Sequence, residues 1–376
     1  MPDTKIFPCA HVDHNGREDW EHFDNNENPL YSKPFIKLRQ DLAEGKKPKI
    51  CNRCWALEDI GVPSPRQLAI KNFKEYITTD EDDLVVRYVD MKFDNYCNFS
   101  CRMCNSWNSS KIDDIITENS ILESVFSKTK IPNTYNFQQE KKYVFLKNLL
   151  DQGLEHIKVT GGEPTISKYF NLMLDYCIQR NIAKNITLSI TTNGSKFTDR
   201  LLSKLSFFKQ VNYNISIDGK GKIYEYIRHP FYWDKLVYNI EKLFNFYEND
   251  SSKIEVRSSC VVSVYNFLDI LDLDVWWNKI IDRYEFFSVG PISIDTMFKP
   301  QDSYLNIANL DNQFIESVMQ ESLHSNVRKY LESSLNDNKK SKRELLRKNT
   351  ILLDECYNKS FEDYLNSKII KYIKEG

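Results

Sequence analysis

The sequence lacks several features that would place it in a specialised class of protein. Its 11 glycines among 376 residues are less than half of the usual ~7%. With 51 basic and 53 acidic residues the net charge is −2, so no broad basic surface for nucleic acid is expected. No apolar run approaches 18 residues, and no basic segment followed by an apolar one opens the chain. We therefore expect no membrane span and no secretory signal. A cytoplasmic protein is expected instead.

Nine cysteines stand out against this background. A chain without an export signal keeps its thiols reduced, and clustered intracellular cysteines indicate a metal before a disulfide. Two groups of three are visible, and the remaining cysteines are predicted to be small buried apolar residues. The groups are Cys97, Cys101 and Cys104, then Cys9, Cys51 and Cys54, and the remainder are Cys177, Cys260 and Cys356.

Short β-branched runs alternate with helical patterns between residues 85 and 295. This alternation predicts a parallel α/β sheet, open or curled into a partial (βα)6 barrel. The predicted strands are 83–93, 156–160, 186–194, 211–219, 253–264 and 284–289, and the predicted helices are 139–152, 167–180, 198–208, 232–247 and 267–282. Such folds build their sites at the carboxyl ends of the strands.

The flanking regions differ from this pattern. Residues 1–84 are polar and turn-rich, with helices predicted at 31–44 and at 65–78, the second capped by Ser64. Residues 296–376 are charged and helical. The sequence therefore predicts three parts, which are a loop-rich N-terminal domain, a barrel over 85–295 and a helical C-terminal extension.

Cys97, Cys101 and Cys104 follow the first predicted strand of the barrel in C-x3-C-x2-C spacing. A tight loop with three thiolates can hold three irons of a cubane cluster and leave the fourth iron open for reaction. The alternative at this point is a zinc site with a remote fourth ligand.

A glycine pair in GGEP ends the second predicted strand. Gly161 and Gly162 indicate a special turn or a close backbone approach, and Glu163 could accept hydrogen bonds from an ammonium group. An ordinary turn after a strand is the alternative.

Together these residues resemble the radical S-adenosylmethionine (radical SAM) superfamily. The resemblance covers about 85–290 and depends on CNFSCRMC, GGEP, TTNG, and SIDG followed by YEYIR, in this order. It implies a 4Fe–4S cluster bound by Cys97, Cys101 and Cys104. It also implies reductive cleavage of S-adenosylmethionine to a 5′-deoxyadenosyl radical, which abstracts hydrogen from a substrate.

The resemblance also implies which residues hold S-adenosylmethionine. Gly161, Gly162 and Glu163 would hold its amino group, Ser216 would contact the ribose or carboxylate, and Arg228 would bind the carboxylate. Backbone near Met103 would meet the adenine, although many members have an aromatic residue there. By strand-end position alone, three more residues are weaker candidates for a substrate cavity, each also explained by a structural role: Asn193, Asp218 and Tyr226.

The stretch CNRCWALEDIGVPSPR resembles a segment of radical SAM proteins that carry a twitch-type auxiliary-cluster domain. The matching positions are Cys51, Cys54, Glu58, Gly61, Ser64 and Arg66. Such proteins carry a further cysteine that this sequence lacks, so the fourth ligand beside Cys9 is open. An auxiliary iron–sulfur cluster, a zinc site completed by His11 or His14, and ordinary thiols are the alternatives.

We therefore expect a radical SAM enzyme with a flavodoxin- or ferredoxin-like electron donor and a peptide or protein substrate. Two rivals are carried forward. One is a non-catalytic binding or scaffold protein stapled by zinc at both cysteine groups, which would have no use for the glycine pair. The other is a radical SAM fold that binds the cofactor without cleaving it.

Overall fold

The β-branched runs form six strands of a single sheet, as their periodicity predicts. The computed structural model describes residues 6–10, 12, 28–59, 61, 63–76, 84–126, 138–295, 303–335 and 341–375. The strands are β1 (Tyr88–Lys92), β2 (His156–Thr160), β3 (Thr187–Thr192), β4 (Gln210–Ser216), β5 (Ile254–Val261) and β6 (Ser288–Asp295). All neighbours are parallel, and the order in the sheet is the order in the chain.

This topology places all crossover helices on one side. Because each connection between parallel strands is right-handed, a sheet ordered 1 to 6 winds like a barrel with helices outside. Among the described residues, each strand pairs only with its neighbours in the chain, and β1 does not pair with β6. The sheet is therefore an open, partial (βα)6 barrel. Helices are numbered along the whole chain, so those of the barrel begin at α4. They are α4 (Ser110–Glu118), α5 (Gln139–Asp151), α6 (Lys168–Gln179), α7 (Asp199–Leu205), α8 (Lys222–Ile227), α9 (Trp233–Phe246) and α10 (Ile270–Arg283).

Burial alternates along each inner strand. In β2, Ile157 and Val159 are buried against the helices, while His156, Lys158 and Thr160 are half-buried on the other face. In β4 the same period buries the apolar residues and leaves the polar ones on the concave side. The strand period of two therefore separates an apolar core from a polar concave face.

The N-terminal region contains α1 (Lys33–Ala43), α2 (Asn52–Glu58) and α3 (Pro65–Asn72). The Ser64 hydroxyl caps α3 by accepting a hydrogen bond from the Gln67 backbone amide, and the Ser64 backbone amide donates to the side-chain oxygen of Gln67. A small cluster of buried side chains, separate from the barrel core, forms its interior: Val12, Phe35, Leu38 and Ile50. So small a core stabilises a domain weakly.

The C-terminal helices share the core of the barrel. They are α11 (Asn312–Val318), α12 (Ser325–Ser334), α13 (Arg343–Tyr357), α14 (Phe361–Tyr364) and α15 (Ser367–Lys374). Leu353 and Ile369 belong to the same continuous hydrophobic cluster as the sheet residues. None of the described helices has the length and apolarity that crossing a bilayer requires.

Two sequence predictions are wrong. The last strand was expected at 284–289 but begins at Ser288 and continues through Pro291, which an edge strand tolerates because one side of it forms no ladder. Phe286, inside the predicted strand, is 84% exposed. Cys177 and Cys260 are buried as expected, but Cys356 is exposed, since α13 turns Leu353 and Tyr357 inward and Cys356 away.

Candidate functional site

The loop after β1 gathers three free thiols at the carboxyl edge of the sheet. Cys97 and Cys101 are buried and pack with Phe99, and Cys104 lies against the same cluster. Burial raises the pKa of Cys97 to about 12 and that of Cys101 and Cys104 above the ordinary range. Repulsion from the neighbouring thiolates raises the pKa of Cys97 and Cys101 further. Three adjacent thiolates therefore need a cationic partner, which an iron–sulfur cluster supplies.

Among the described residues, no three His, Cys, Asp or Glu side chains converge closely enough to ligate one metal ion.

Backbone hydrogen bonds fix the loop that carries the thiols. The Ser100 amide donates to the His229 carbonyl at 2.9 Å, and the Arg102 amide donates to the Ile227 carbonyl at 2.9 Å. Both residues flank Cys101. The end of α8 therefore holds the centre of the cysteine loop.

The glycine pair allows β2 to press against this loop. Gly161 has φ +127°, and a Cβ on Gly162 would lie 2.1 Å from the Tyr96 carbonyl oxygen. The Glu163 amide donates to that oxygen at 2.7 Å. The close approach that the glycines indicate in the sequence is confirmed, and its target is the backbone next to Cys97.

Glu163 is buried and braces two strand ends. Its carboxylate accepts hydrogen bonds from the Thr165 amide and hydroxyl, from the Thr192 hydroxyl at 2.7 Å, and from the Asn193 amide at 2.6 Å. Burial raises the pKa of Glu163, and these donors oppose that shift. Its contact with the amino group of S-adenosylmethionine stays a prediction.

Arg228 brings a buried positive charge to the thiols. Its Nη2 lies 2.6 Å from Asp218 Oδ2, and Asp218 Oδ1 accepts from the Val261 amide. Burial alone would lower the pKa of Arg228, but the charges of Asp218 and Cys101 raise it. Its Nε is buried and finds no acceptor among the described residues. An anionic group beside the thiols would satisfy this donor, so the residues present fit a cluster and a carboxylate ligand.

The remaining predicted residues divide between the site and the interior. Ser216 ends β4 on the concave face, and Met103 is half-buried in the cysteine loop. The side-chain Nδ2 of Asn193 donates to Asn98 Oδ1 at 3.0 Å and lies 4.0 Å from Cys97 Sγ, so Asn193 borders the thiols. Tyr226 is fully buried and donates to Asp354 at 2.9 Å, which confirms its structural explanation.

The concave face of the sheet is lined by polar side chains in cross-strand rows. In order from the amino to the carboxyl ends of the strands, the rows are Asp90, Lys158, Ser189, Asn212 and Glu255, then Lys92, Thr160, Thr191, Asn214 and Arg257, then Ser216, Ser259 and Ser293. Their basic groups already have partners. Lys158 pairs with Asp90 at 3.0 Å, Arg257 pairs with Glu255, and Lys92 donates to the Trp107 carbonyl.

The N-terminal thiols also lie near one another. Burial raises the pKa of Cys51 to about 11, with added repulsion from the Cys9 and Cys54 thiolates. Cys54 is buried and Cys9 is exposed. His11 and His14, the candidate fourth ligands in the zinc alternative, lie outside the described residues.

The segment 51–66, which contains two of these thiols, is held together by its own side chains. Arg66 pairs with Glu58 at 2.6 Å, and Ser64 donates to the same carboxylate. The Arg66 guanidinium lies 4.4 Å from the Trp55 ring centroid. The residues of this segment therefore fold the chain around Cys51 and Cys54.

Sequence reasoning missed Arg102 and Asp354. The guanidinium of Arg102, in the cysteine loop, pairs with Asp354 on α13 at 2.6 Å. The burial of Arg102 could not be predicted from the sequence of a polar loop. Its pairing with Asp354 could not be predicted either, because no local pattern connects positions 252 residues apart.

Comparison with known proteins gives the same assignment for the barrel. Residues 91–254 match the family described as the radical SAM superfamily. A GTP 3′,8-cyclase of Sulfurimonas denitrificans is 29% identical over 150 residues, covering 37% of each chain. One of Campylobacter jejuni subsp. doylei is 27% identical over 129 residues, covering 32% of this chain and 31% of that one. The chain thus spans about a third of the length of these curated relatives.

Solved structures give weaker likenesses. Streptococcus suis SuiB bound to S-adenosylmethionine has a TM-score of 0.40 and 13% identity, over 73% of this chain and 56% of that chain. Native anSMEcpe with bound AdoMet has a TM-score of 0.39 and 17% identity, over 73% of this chain and 67% of that chain. The family match, the open parallel sheet and the thiol loop after β1 agree. Residues 91–254 of this chain are therefore similar to the radical SAM superfamily of enzymes, whose cofactors are a 4Fe–4S cluster and S-adenosylmethionine.

Proposed function

We propose that the whole protein is a radical SAM enzyme that acts on a peptide or protein. The observation that carries the proposal is the convergence, at one edge of the sheet, of the three buried thiols, the turn at Gly162 and the charge of Arg228. When bound, the cluster and S-adenosylmethionine supply a 5′-deoxyadenosyl radical that removes a hydrogen atom from the substrate.

The residues of the chain hold and orient these groups. Cys97, Cys101 and Cys104 provide the thiolates for three irons, and Arg228 balances their negative charge from a fixed position beside Asp218. The Gly161–Glu163 turn and Ser216 lie at neighbouring strand ends, where the amino and carboxylate groups of S-adenosylmethionine are proposed to bind. Backbone at Met103 is proposed to meet the adenine.

The concave face supports a peptide or protein substrate. Its rows offer hydroxyl and amide groups, which pair well with backbone amides. Its basic groups are already engaged by Asp90, Glu255 and the Trp107 carbonyl. A nucleoside triphosphate would need unpaired cations, so we do not transfer the substrate of the GTP 3′,8-cyclase relatives to this chain.

We further propose that Cys9, Cys51 and Cys54 bind a second iron–sulfur cluster. The mutual repulsion that raises the pKa of Cys51 supports this, because a shared cationic partner would relieve it. A flavodoxin- or ferredoxin-like donor supplies electrons in this scheme. The free thiols needed for assembly fit a reducing compartment such as the cytoplasm.

One experiment tests the enzyme and its clusters together. Anaerobically reconstituted, dithionite-reduced protein is examined by electron paramagnetic resonance with and without S-adenosylmethionine, and 5′-deoxyadenosine is measured. Wild type should give a 4Fe–4S signal that the cofactor perturbs. Cys97→Ala should lower 5′-deoxyadenosine formation by at least ~10³-fold, and full activity of that variant would refute the proposal.

A variant with Cys97, Cys101 and Cys104 all changed to Ala separates the two sites. A signal that remains in this variant belongs to the N-terminal thiols and supports the second cluster. Zinc without any cluster signal in wild type would instead favour the non-catalytic binding protein. A perturbed signal without 5′-deoxyadenosine would favour a scaffold that has lost turnover.

A further inference from the structure

We propose that Asp354 of the C-terminal extension is a positioning residue for the cysteine loop, acting through Arg102. The inference rests on the proposed function, because the loop matters through the cluster that it would hold. It makes α13 a part of the cluster site although α13 carries none of its thiols.

Arg102 is the fixed point of the loop. It stands between Cys101 and Met103 and is only 1% exposed. Its Nε donates to the Tyr226 carbonyl at 2.9 Å, and its guanidinium lies 3.7 Å from the Tyr226 ring centroid. A guanidinium that is buried in this way needs an anionic partner.

Asp354 supplies that partner and is itself held in place. Its Oδ1 accepts from Arg102 Nη2 at 2.6 Å and from the Tyr226 hydroxyl at 2.9 Å. Its Oδ2 accepts from the Phe361 amide at 2.6 Å. Because both oxygens are engaged, the carboxylate has little freedom to follow a displaced Arg102.

A second contact from α13 reaches the other side of Cys101. Tyr357 lies one turn after Asp354 on the same helical face. It donates to the Ser100 carbonyl at 2.7 Å, and its ring stacks on His229 at 4.2 Å between centroids. Ser100 and Arg102 are the neighbours of Cys101, so α13 holds the backbone of one neighbour and the side chain of the other.

This arrangement predicts a local effect when the pair is broken. Without the carboxylate, the buried guanidinium of Arg102 must move to find another acceptor or water, and the adjoining Cys101 moves with it. The barrel strands do not depend on this pair, since their ladder is formed by backbone bonds. Loss of Asp354 should therefore loosen the cysteine loop before it loosens the sheet.

The test compares full-length wild type with Asp354→Asn. Hydrogen exchange of the 97–104 segment should accelerate by about tenfold in the variant, with exchange in β3 and β4 unchanged. In reconstituted protein, a chelator should remove iron about tenfold faster, and the shape of the 4Fe–4S resonance should change. Glu375→Gln is the control, because it breaks a surface ion pair of the same helix α13, the pair between Arg343 and Glu375. It should alter none of these readouts.

A double variant distinguishes positioning from simple stability. Arg102→Met with Asp354→Asn removes both charges, keeps an oxygen at position 354 for the Tyr226 hydroxyl or the Phe361 amide, and should restore thermal stability lost in Asp354→Asn alone. The hydrogen bond from Arg102 to the Tyr226 carbonyl is lost in this double variant, so rapid iron loss should persist. If the double variant recovers both properties, the pair is merely structural and the inference is overturned.

The remaining outcomes are also decisive. Unchanged loop exchange and iron loss in Asp354→Asn would overturn the inference while leaving the radical SAM proposal intact. A wild type that assembles no cluster would refute the proposed function, and loop exchange would still test the role of Asp354. If Asp354→Asn does not fold, Tyr357→Phe, which removes only the bond to Ser100, should accelerate loop exchange about threefold.

Discussion

At the scale of single residues, Gly162 shows how tightly the site is packed. Its missing side chain leaves room for the Tyr96 carbonyl, and the atoms that a Cβ would meet belong to the backbone of Asn95 and Tyr96. A rigid backbone cannot move aside as a flexible side chain does. The glycine is therefore required by the approach of two loops and not by its own φ.

We predict that Gly162→Ala destabilises the protein by about 3 kcal/mol and lowers cluster loading. The new methyl group must displace the backbone that leads into Cys97. Urea unfolding and iron content provide the measurements. Gly153→Ala is the matched control, because Gly153 has φ +93° but open space around it, and it should cost about 1 kcal/mol with normal iron content. Equal effects of the two changes would contradict the packing explanation.

His229 gives the site a measurable response to acid. Burial, with help from the charges of Lys359 and Arg102, lowers the pKa of His229 to about 4 from its ordinary 6.5. Between these values the unfolded chain binds more protons than the folded one, so stability falls as the pH falls from 6.5 to 4. Above pH 6.5 the effect is absent.

We predict that His229→Gln flattens this dependence. The difference in unfolding free energy between pH 7 and pH 4.5 should be smaller in the variant by about 1 kcal/mol, a value reduced for the half-exposed ring. Urea titrations across this range measure it. Parallel pH curves for the two proteins would show that His229 is not the responsive group.

At the scale of elements, Glu163 connects the ends of β2 and β3. Four donors converge on its carboxylate. Glu163→Gln places an amide donor among these donors and should cost about 3 kcal/mol even without any cofactor. Urea unfolding of cofactor-free protein measures this cost. As a control, Glu248→Gln, at an exposed position after the end of α9, should stay within about 0.5 kcal/mol of wild type. A Glu163 variant of unchanged stability that binds S-adenosylmethionine weakly would instead assign this residue to the ligand alone.

Much of the barrel could be predicted at this scale, because alternating and helical periodicities are local. Strands β1 to β5 and helices α5, α6, α7 and α9 follow the expected runs. The short helices α4 and α8 were not predicted, and Gly290 and Pro291 interrupted the pattern that would have shown the course of β6. The thiol loop was predictable from the spacing of its cysteines. The partners of Glu163 and Arg102 were not, because they depend on register and on packing between distant segments.

At the scale of the whole molecule, the two larger hydrophobic cores of the described residues are unequal in size. The barrel and the C-terminal helices share one, and the N-terminal region has its own small cluster around Phe35 and Leu38. A region with so few buried side chains depends on additional cross-links. The thiols of Cys51 and Cys54 stand where such a cross-link would act.

We predict that metal-free protein unfolds in two steps, with the N-terminal region first. Pulse proteolysis across a urea series, with fragments identified by mass, follows each region separately. In metal-loaded protein, Cys51→Ser should lower only the first midpoint, while Cys356→Ser, at an exposed position, should lower neither. A single transition unaffected by metal would mean that the two cores unfold as one unit.

The contact between Arg102 and Asp354 also orders events during synthesis. The two residues are 252 positions apart, so the cysteine loop leaves the ribosome long before its anchor on α13 exists. Through most of translation the thiols sit in a loop without this support, and at ~5–20 residues per second the delay lasts tens of seconds. Residue 354 must therefore be synthesised before the loop gains this support, and under the proposed function the cluster site would be completed only after that point.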